Sequence, residues 1–204
     1  MVGSIAEQRL DGFLAALGAK TPTPGGGAAS GVVGALGAAL ARMVVSYSVG
    51  KKSLAAHEGP LRESLETLER GVGMLLRLAD EDAAAYGLVN ELSRLPEGDP
   101  RREREWGEAV RAGVDVPLAM MAACVELLRR FEGLCGTSNA HLRSDLAIAA
   151  ILAEAGARSA RWNVLVNAPN IAEPARTQDL AAASHLMSEA LRLSGVVESR
   201  CAQG

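Results

Sequence analysis

Two acids stand two residues apart in the stretch L-A-D-E-D-A-A-A-Y, and one of them, Asp82, interrupts an apolar stripe. Leu61, Leu65, Leu68, Val72, Leu75 and Ala79 recur at alternating spacings of four and three, which marks the buried face of a long helix. The next two steps of that spacing land on Asp82 and Tyr86, and Val89 then resumes the apolar pattern. A straight helix drifts by about 20° per heptad against such a stripe, which puts Asp82 at its edge. A carboxyl group there is either a structural polar contact to a partner helix or a proton-transfer group, because burying it alone is costly. The pattern leaves both roles open. Asp80 lies about 200° round the helix from Asp82, so local geometry does not pair the two.

Elsewhere a glycine loop, a pair of cations and a polar helix start stand out, each with capping or packing as the alternative role. The loop Pro24, Gly25, Gly26, Gly27 precedes an apolar helix, and glycines there free backbone N–H groups that can hold an anion. It lacks the G-K-[ST] of a nucleotide-binding P-loop, and no strand precedes it. Lys51 and Lys52 close that helix, where cations suit the C-terminal dipole or attract an acidic ligand. Ser138, Asn139, Arg143, Ser144 and Asp145 crowd the start of a later helix, and Asn163 and Asn167 share a face near its end. The three histidines are far apart, with no H-E-x-x-H and no Ser-His-Asp grouping.

The elements that must position these groups read as helices. The chain has 204 residues, enough for one domain with a real core, and 49% of them are hydrophobic although only two Phe, two Tyr and two Trp are present. A core built from Leu, Ala, Val and Met favours helices over sheets. Ser4 and Glu7 form a capping-box pattern for a first helix that Gly18 ends. A second helix runs to about Val49 and carries Gly31, Gly34 and Gly37 on one side. That spacing predicts close approach of another backbone, which a second copy could supply. Asp99-Pro100 is a good start for a helix that Pro117 should kink or restart, and Thr177 to about Val196 forms the last. No strand signal or internal repeat is present. The expected fold is an all-α, single-domain bundle of six or seven helices spanning residues 1–204.

Composition also bears on the partners. A formal charge of −3 gives no basic field for nucleic acid. The uncharged run Thr21 to Ala41 holds Pro22, Pro24 and many glycines, which makes it a poor membrane span. Three cysteines with neither a CxxC pair nor zinc-ligand spacing predict a reduced, cytoplasmic protein without a metal site.

Four stretches in this order resemble the formiminotetrahydrofolate cyclodeaminase family. They are P-T-P-G-G-G-A with V-G-K-K after its glycine-rich helix, L-A-D-E-D-A-A-A-Y, S-N-A-H-L-R-S-D-L-A-I-A-A, and W-N-V-L-V-N. The resemblance extends from about Leu10 to His185 and also takes in methenyltetrahydrofolate cyclohydrolases. It implies an all-helical homodimer, with a tetrahydrofolate derivative as substrate and no cofactor beyond it. The implied reaction closes 5-formimino-tetrahydrofolate to 5,10-methenyl-tetrahydrofolate with loss of ammonia; the alternative is hydrolytic opening of the methenyl ring to 10-formyl-tetrahydrofolate. By the resemblance the catalytic acid is Asp82, with Asp80 as the fallback. Pro24, Gly25, Gly26, Gly27, Lys51, Asn139, Arg143, Ser144, Asp145 and Asn163 would surround the substrate, Lys51 and Arg143 taking its glutamate tail. Two departures bear on the contacts: Ala28 stands where the family usually has Ser, and Ser138 and His141 replace a Gly and a Cys. The reading from a different class is a non-catalytic helical dimeric interaction module, with Asp82 as a buried structural contact.

Overall fold

Apolar spacing accounts for most of the helices in the computed structural model, which describes residues 4–203. Six α-helices lie among the described residues: α1 (Leu10–Leu17), α2 (Gly26–Ser46), α3 (Glu58–Leu92), α4 (Pro100–Leu134), α5 (Arg143–Asn167) and α6 (Ala175–Gln203). Short 3-10 turns cover Ile5–Glu7, Lys52–His57, Ala140–Leu142 and Ala168–Asn170, and there is no strand among the described residues. The all-α expectation holds. Ser4 caps the first 3-10 turn rather than α1, accepting from the Ala6 N–H. Asp99 caps α4, its Oδ1 accepting from the N–H groups of Arg101 and Arg102 at 2.8 and 3.3 Å. α4 runs unbroken through Pro117, and α6 extends past Val196 to Gln203.

The seam of α3 is buried where the spacing placed it: Leu61, Leu68, Leu75 and Ala79 are inaccessible or nearly so. The three leucines pack with Met120, Met121, Cys124, Leu128 and Phe131 of α4 and with the alanine-rich face of α5. α2 lies against both α3 and α5, and its glycines make that possible. A Cβ on Gly31 would come within 2.7 Å of the Leu75 carbonyl oxygen, and one on Gly37 within 2.8 Å of the Ala149 carbonyl oxygen. Gly34 meets Gly156 of α5 almost backbone to backbone. The close approach predicted from the glycine spacing is therefore made by helices of the same chain. By length and mean hydropathy (1.7) α2 could cross a membrane, and 56% of its most apolar stretch is buried inside the bundle.

Because α2 begins where α5 ends, each end of the molecule collects one terminus of each helix. Gly26 and Asn163 meet at one end, and the N–H of Asn139 donates to Ser48 Oγ (2.8 Å) at the other.

Candidate active site

Gly25 is the N-cap of α2, so Gly26 and Gly27 form its first turn rather than a free loop. The first N–H groups of a helix have no acceptor within it. Here the N–H of Ala28 donates to the Asp82 carboxylate, reaching across from α2 to α3. An ideal Cβ on Gly27 would fall 2.1 Å from Cγ, Oδ1 and Oδ2 of Asp82 alike. The carboxyl group thus occupies the space that any side chain at Gly27 would need.

Two effects act on that carboxyl group in opposite directions. Burial disfavours its charged form, while the Ala28 N–H and the positive end of α2 favour it. Burial is the larger, and the Asp82 carboxyl is pushed up to about 6. A group of this kind exchanges protons near neutrality, as an acid–base catalyst must.

Asp82 faces a cavity of about 320 Å³. α3 supplies one wall through Asp82, Ala83, Tyr86 and Val89, α4 a second through Val110 and Gly113, and α5 a third through Asn163 and Asn167. Asn170 follows just beyond α5, and Gly25, Gly26 and Gly27 bring the backbone of α2 into the same space. Tyr86 is 54% exposed and stands at the rim. Asn167 is fixed by its Nδ2, which donates to the Gly113 carbonyl at 2.8 Å. The lining residues combine one carboxyl group, three carboxamides and apolar walls, with no Lys or Arg among them. Such a site can hold a flat polar heterocycle, move a proton and stabilise a developing cation.

Of the residues expected around a ligand, Asp82, Gly25, Gly26, Gly27 and Asn163 come together here. Asp80 and Pro24 do not line this cavity. Asp80 accepts from Ser4 Oγ (2.6 Å) and the Ile5 N–H (2.8 Å), and both residues border a separate groove. Lys51, Asn139, Arg143, Ser144 and Asp145 sit at the other end of the bundle. Lys51 is the N-cap of the Lys52–His57 turn, and the Asn139 side chain caps the Ala140–Leu142 turn. Arg143, Ser144 and Asp145 open α5, and Arg143 borders a small cavity of about 150 Å³ with Cys135, Arg200 and Cys201. At about 1.5 Å per residue, α5 separates Arg143 from Asn163 by roughly 30 Å. A ligand on one chain would have to extend along most of α5 to touch both.

The cavity also contains Tyr86, Gly113, Asn167 and Asn170, which the sequence did not mark as ligand contacts. The i, i+4 pairing of Asn163 with Asn167 was the one available signal. Among the described residues no three His, Cys, Asp or Glu side chains converge as a metal-binding group.

A family model described as formiminotransferase-cyclodeaminase matches residues 9–185. A methenyltetrahydrofolate cyclohydrolase of Methylorubrum extorquens is 34% identical over 84% of this chain and 85% of its own length. The formimidoyltransferase-cyclodeaminase of Mus musculus is 33% identical over 80% of this chain, a match that spans only 31% of the mouse protein. The crystal structure of a formiminotetrahydrofolate cyclodeaminase from Thermotoga maritima superposes with a TM-score of 0.90 at 27% identity, covering 98% of each chain.

Proposed function

This chain belongs to the formiminotransferase-cyclodeaminase family, and on that premise we propose that it closes 5-formimino-tetrahydrofolate to 5,10-methenyl-tetrahydrofolate with release of ammonia. The observation that carries this reading is the Asp82 carboxyl group, held by the start of α2 in a cavity and pushed up to about 6. N10 of the substrate attacks the formimino carbon of the amidinium, giving a tetrahedral centre that bears an amino group and a protonated N10. Asp82 takes the proton from N10 and delivers it to the amino nitrogen, which leaves as ammonia. A nitrogen lone pair then forms the C=N bond of the methenyl cation, so one proton has moved and the charge is unchanged. A positioned acid–base group of this kind contributes about 10²–10⁴-fold. The ionised carboxylate also stabilises the cationic product. No cofactor beyond the folate is required.

The acidic tail of the substrate needs cations, and this cavity's lining has none. Lys51 and Arg143 could serve only if a second copy brought its far end over the Asp82 cavity. An antiparallel pair with a two-fold axis across the middle of α2 does this, because it exchanges the two ends of α2 and α5. Between those ends the chain exposes Leu36, Ile148 and Ile151, an apolar surface suited to such contact. The functional unit of this reading is a cytoplasmic homodimer with the substrate spanning both subunits.

A second reading uses the same cavity in the hydrolytic sense: water adds to the methenyl carbon and gives one proton to Asp82, the hydroxyl proton passes to N5 as the C–N5 bond breaks, and 10-formyl-tetrahydrofolate leaves. The match over 85% of the length of a protein named methenyltetrahydrofolate cyclohydrolase favours it. The two are separated by supplying 5-formimino-tetrahydrofolate and the methenyl compound in turn. Equal yields of ammonia and methenyl absorbance from the first support ring closure. Decay of methenyl absorbance alone supports hydrolysis, and silence in both hands the chain to a non-catalytic interaction role.

A further inference from the structure

We propose that Asn167 is the residue that recognises the pterin ring, its Oδ1 accepting from the N–H groups of the 2-amino-4-oxo edge while Gly113 and Pro117 of α4 hold the amide in that orientation. The proposal rests on the folate reading above.

The chain of cause begins at Pro117. In an α-helix the carbonyl of Gly113 would accept from the N–H of residue 117, and proline has none. α4 nevertheless continues through Pro117 to Leu134, so the Gly113 carbonyl is left without its helical donor. Gly113 lines the Asp82 cavity, which puts that carbonyl within reach of α5. Asn167 Nδ2 takes up the vacancy at 2.8 Å.

This contact sets which way the amide faces. A carbonyl oxygen only accepts, so Asn167 must turn its NH2 toward Gly113. Its Oδ1 then remains as an acceptor on a side chain that lines the cavity. The 2-amino-4-oxo edge of a tetrahydropterin offers two kinds of donor, the 2-amino group and N3–H. An amide turned the other way would oppose donor to donor. The two donors, the 2-amino group and N3–H, belong to the other ring from N5 and point away from the arm that bears N10, so the contact can hold the ring without touching the reacting carbon.

The test measures binding of two substrate fragments, 6-methyl-tetrahydropterin and p-aminobenzoyl-glutamate, to the whole protein by calorimetry. Asn167→Ala should weaken the tetrahydropterin roughly ten-fold, about one hydrogen bond, and leave p-aminobenzoyl-glutamate within about two-fold. Pro117→Ala restores an N–H that competes for the Gly113 carbonyl and frees the amide to turn. It should weaken the tetrahydropterin about three-fold or more without lowering the melting temperature, although residue 117 does not line the cavity. Unchanged tetrahydropterin binding in Asn167→Ala, or equal losses for both fragments, overturns the recognition role. Unchanged binding in Pro117→Ala overturns the orienting role of α4. A wild-type protein that binds neither fragment removes the folate reading and this proposal together.

Discussion

Gly27 and Asp82 fit each other as a backbone and a carboxyl group with nothing between them. A Cβ on Gly27 would stand 2.1 Å from all three carboxyl atoms, so the glycine is needed for the acid to reach the start of α2. Gly27→Ala is expected to push Asp82 off the Ala28 N–H and into the cavity. Overpacking of this kind costs about 1–3 kcal/mol. Activity should fall at least about 100-fold, since acid–base catalysis depends on position. Thermal unfolding and initial rates measured on the same preparation check both parts.

The raised Asp82 group makes a signed prediction for pH. Its folded pKa of about 6 lies above the reference of 3.8, so the folded state binds more protons across that window. Stability therefore falls as pH rises through the window and is lowest once the group is ionised. Asp82→Asn removes the penalty and can still accept from Ala28. It should be more stable than the wild type at pH 8 by about 1–2 kcal/mol, allowing for partial exposure, and equal to it near pH 3.5. Urea midpoints at the two pH values decide this; a variant less stable than the wild type at pH 8 would falsify it.

Asp80 tests the division of labour within L-A-D-E-D. Its oxygens accept from Ser4 and Ile5, tying the N-terminal segment to α3. Asp80→Ala should cost about 1–2 kcal/mol of stability through the lost hydrogen bonds and leave turnover within about three-fold. A loss of turnover comparable to that of Asp82→Asn, in a protein that remains folded, would reverse the assignment of the two acids.

How much of this was legible in the sequence differs from residue to residue. The α3 seam, the cap at Asp99 and the glycine spacing of α2 are local patterns, and each has the structural consequence that its spacing implies. Asp82 was legible as the one charged residue at a step of an apolar stripe. The separation of Arg143 from Asn163 follows from their places at the two ends of one helix, but periodicity does not say which end of α2 meets which end of α5, so the side of the bundle on which Asp82 lies could not be read. The role of Asn167 was hidden for a similar reason: its partner Gly113 is distant in the chain and is available only because of a proline one turn further on. Gly26 and Gly27 lie inside α2, although propensity opposes it, because the first turn packs against Asp82, whose carboxylate accepts from the N–H of Ala28.

The antiparallel homodimer proposed above, which brings the partner's far end over each Asp82 cavity, predicts complementation between inactive chains. Asp82→Asn and Arg143→Ala should each be impaired alone. Mixed after unfolding and refolding together, half the dimers are hybrids, and each hybrid contains one site with both residues intact. Recovery should approach about one quarter of the wild-type rate. Mixtures no more active than their components would place the whole site within one chain.

The most direct measurement is single-turnover conversion of 5-formimino-tetrahydrofolate, followed by methenyl absorbance and ammonia release as a function of pH. The wild-type rate should depend on a group titrating near 6, and Asp82→Asn should bind the substrate with similar affinity while losing about 10²–10⁴-fold in rate and that pH dependence. Full-rate turnover by Asp82→Asn, with the same pH profile as the wild type, would contradict the central assignment.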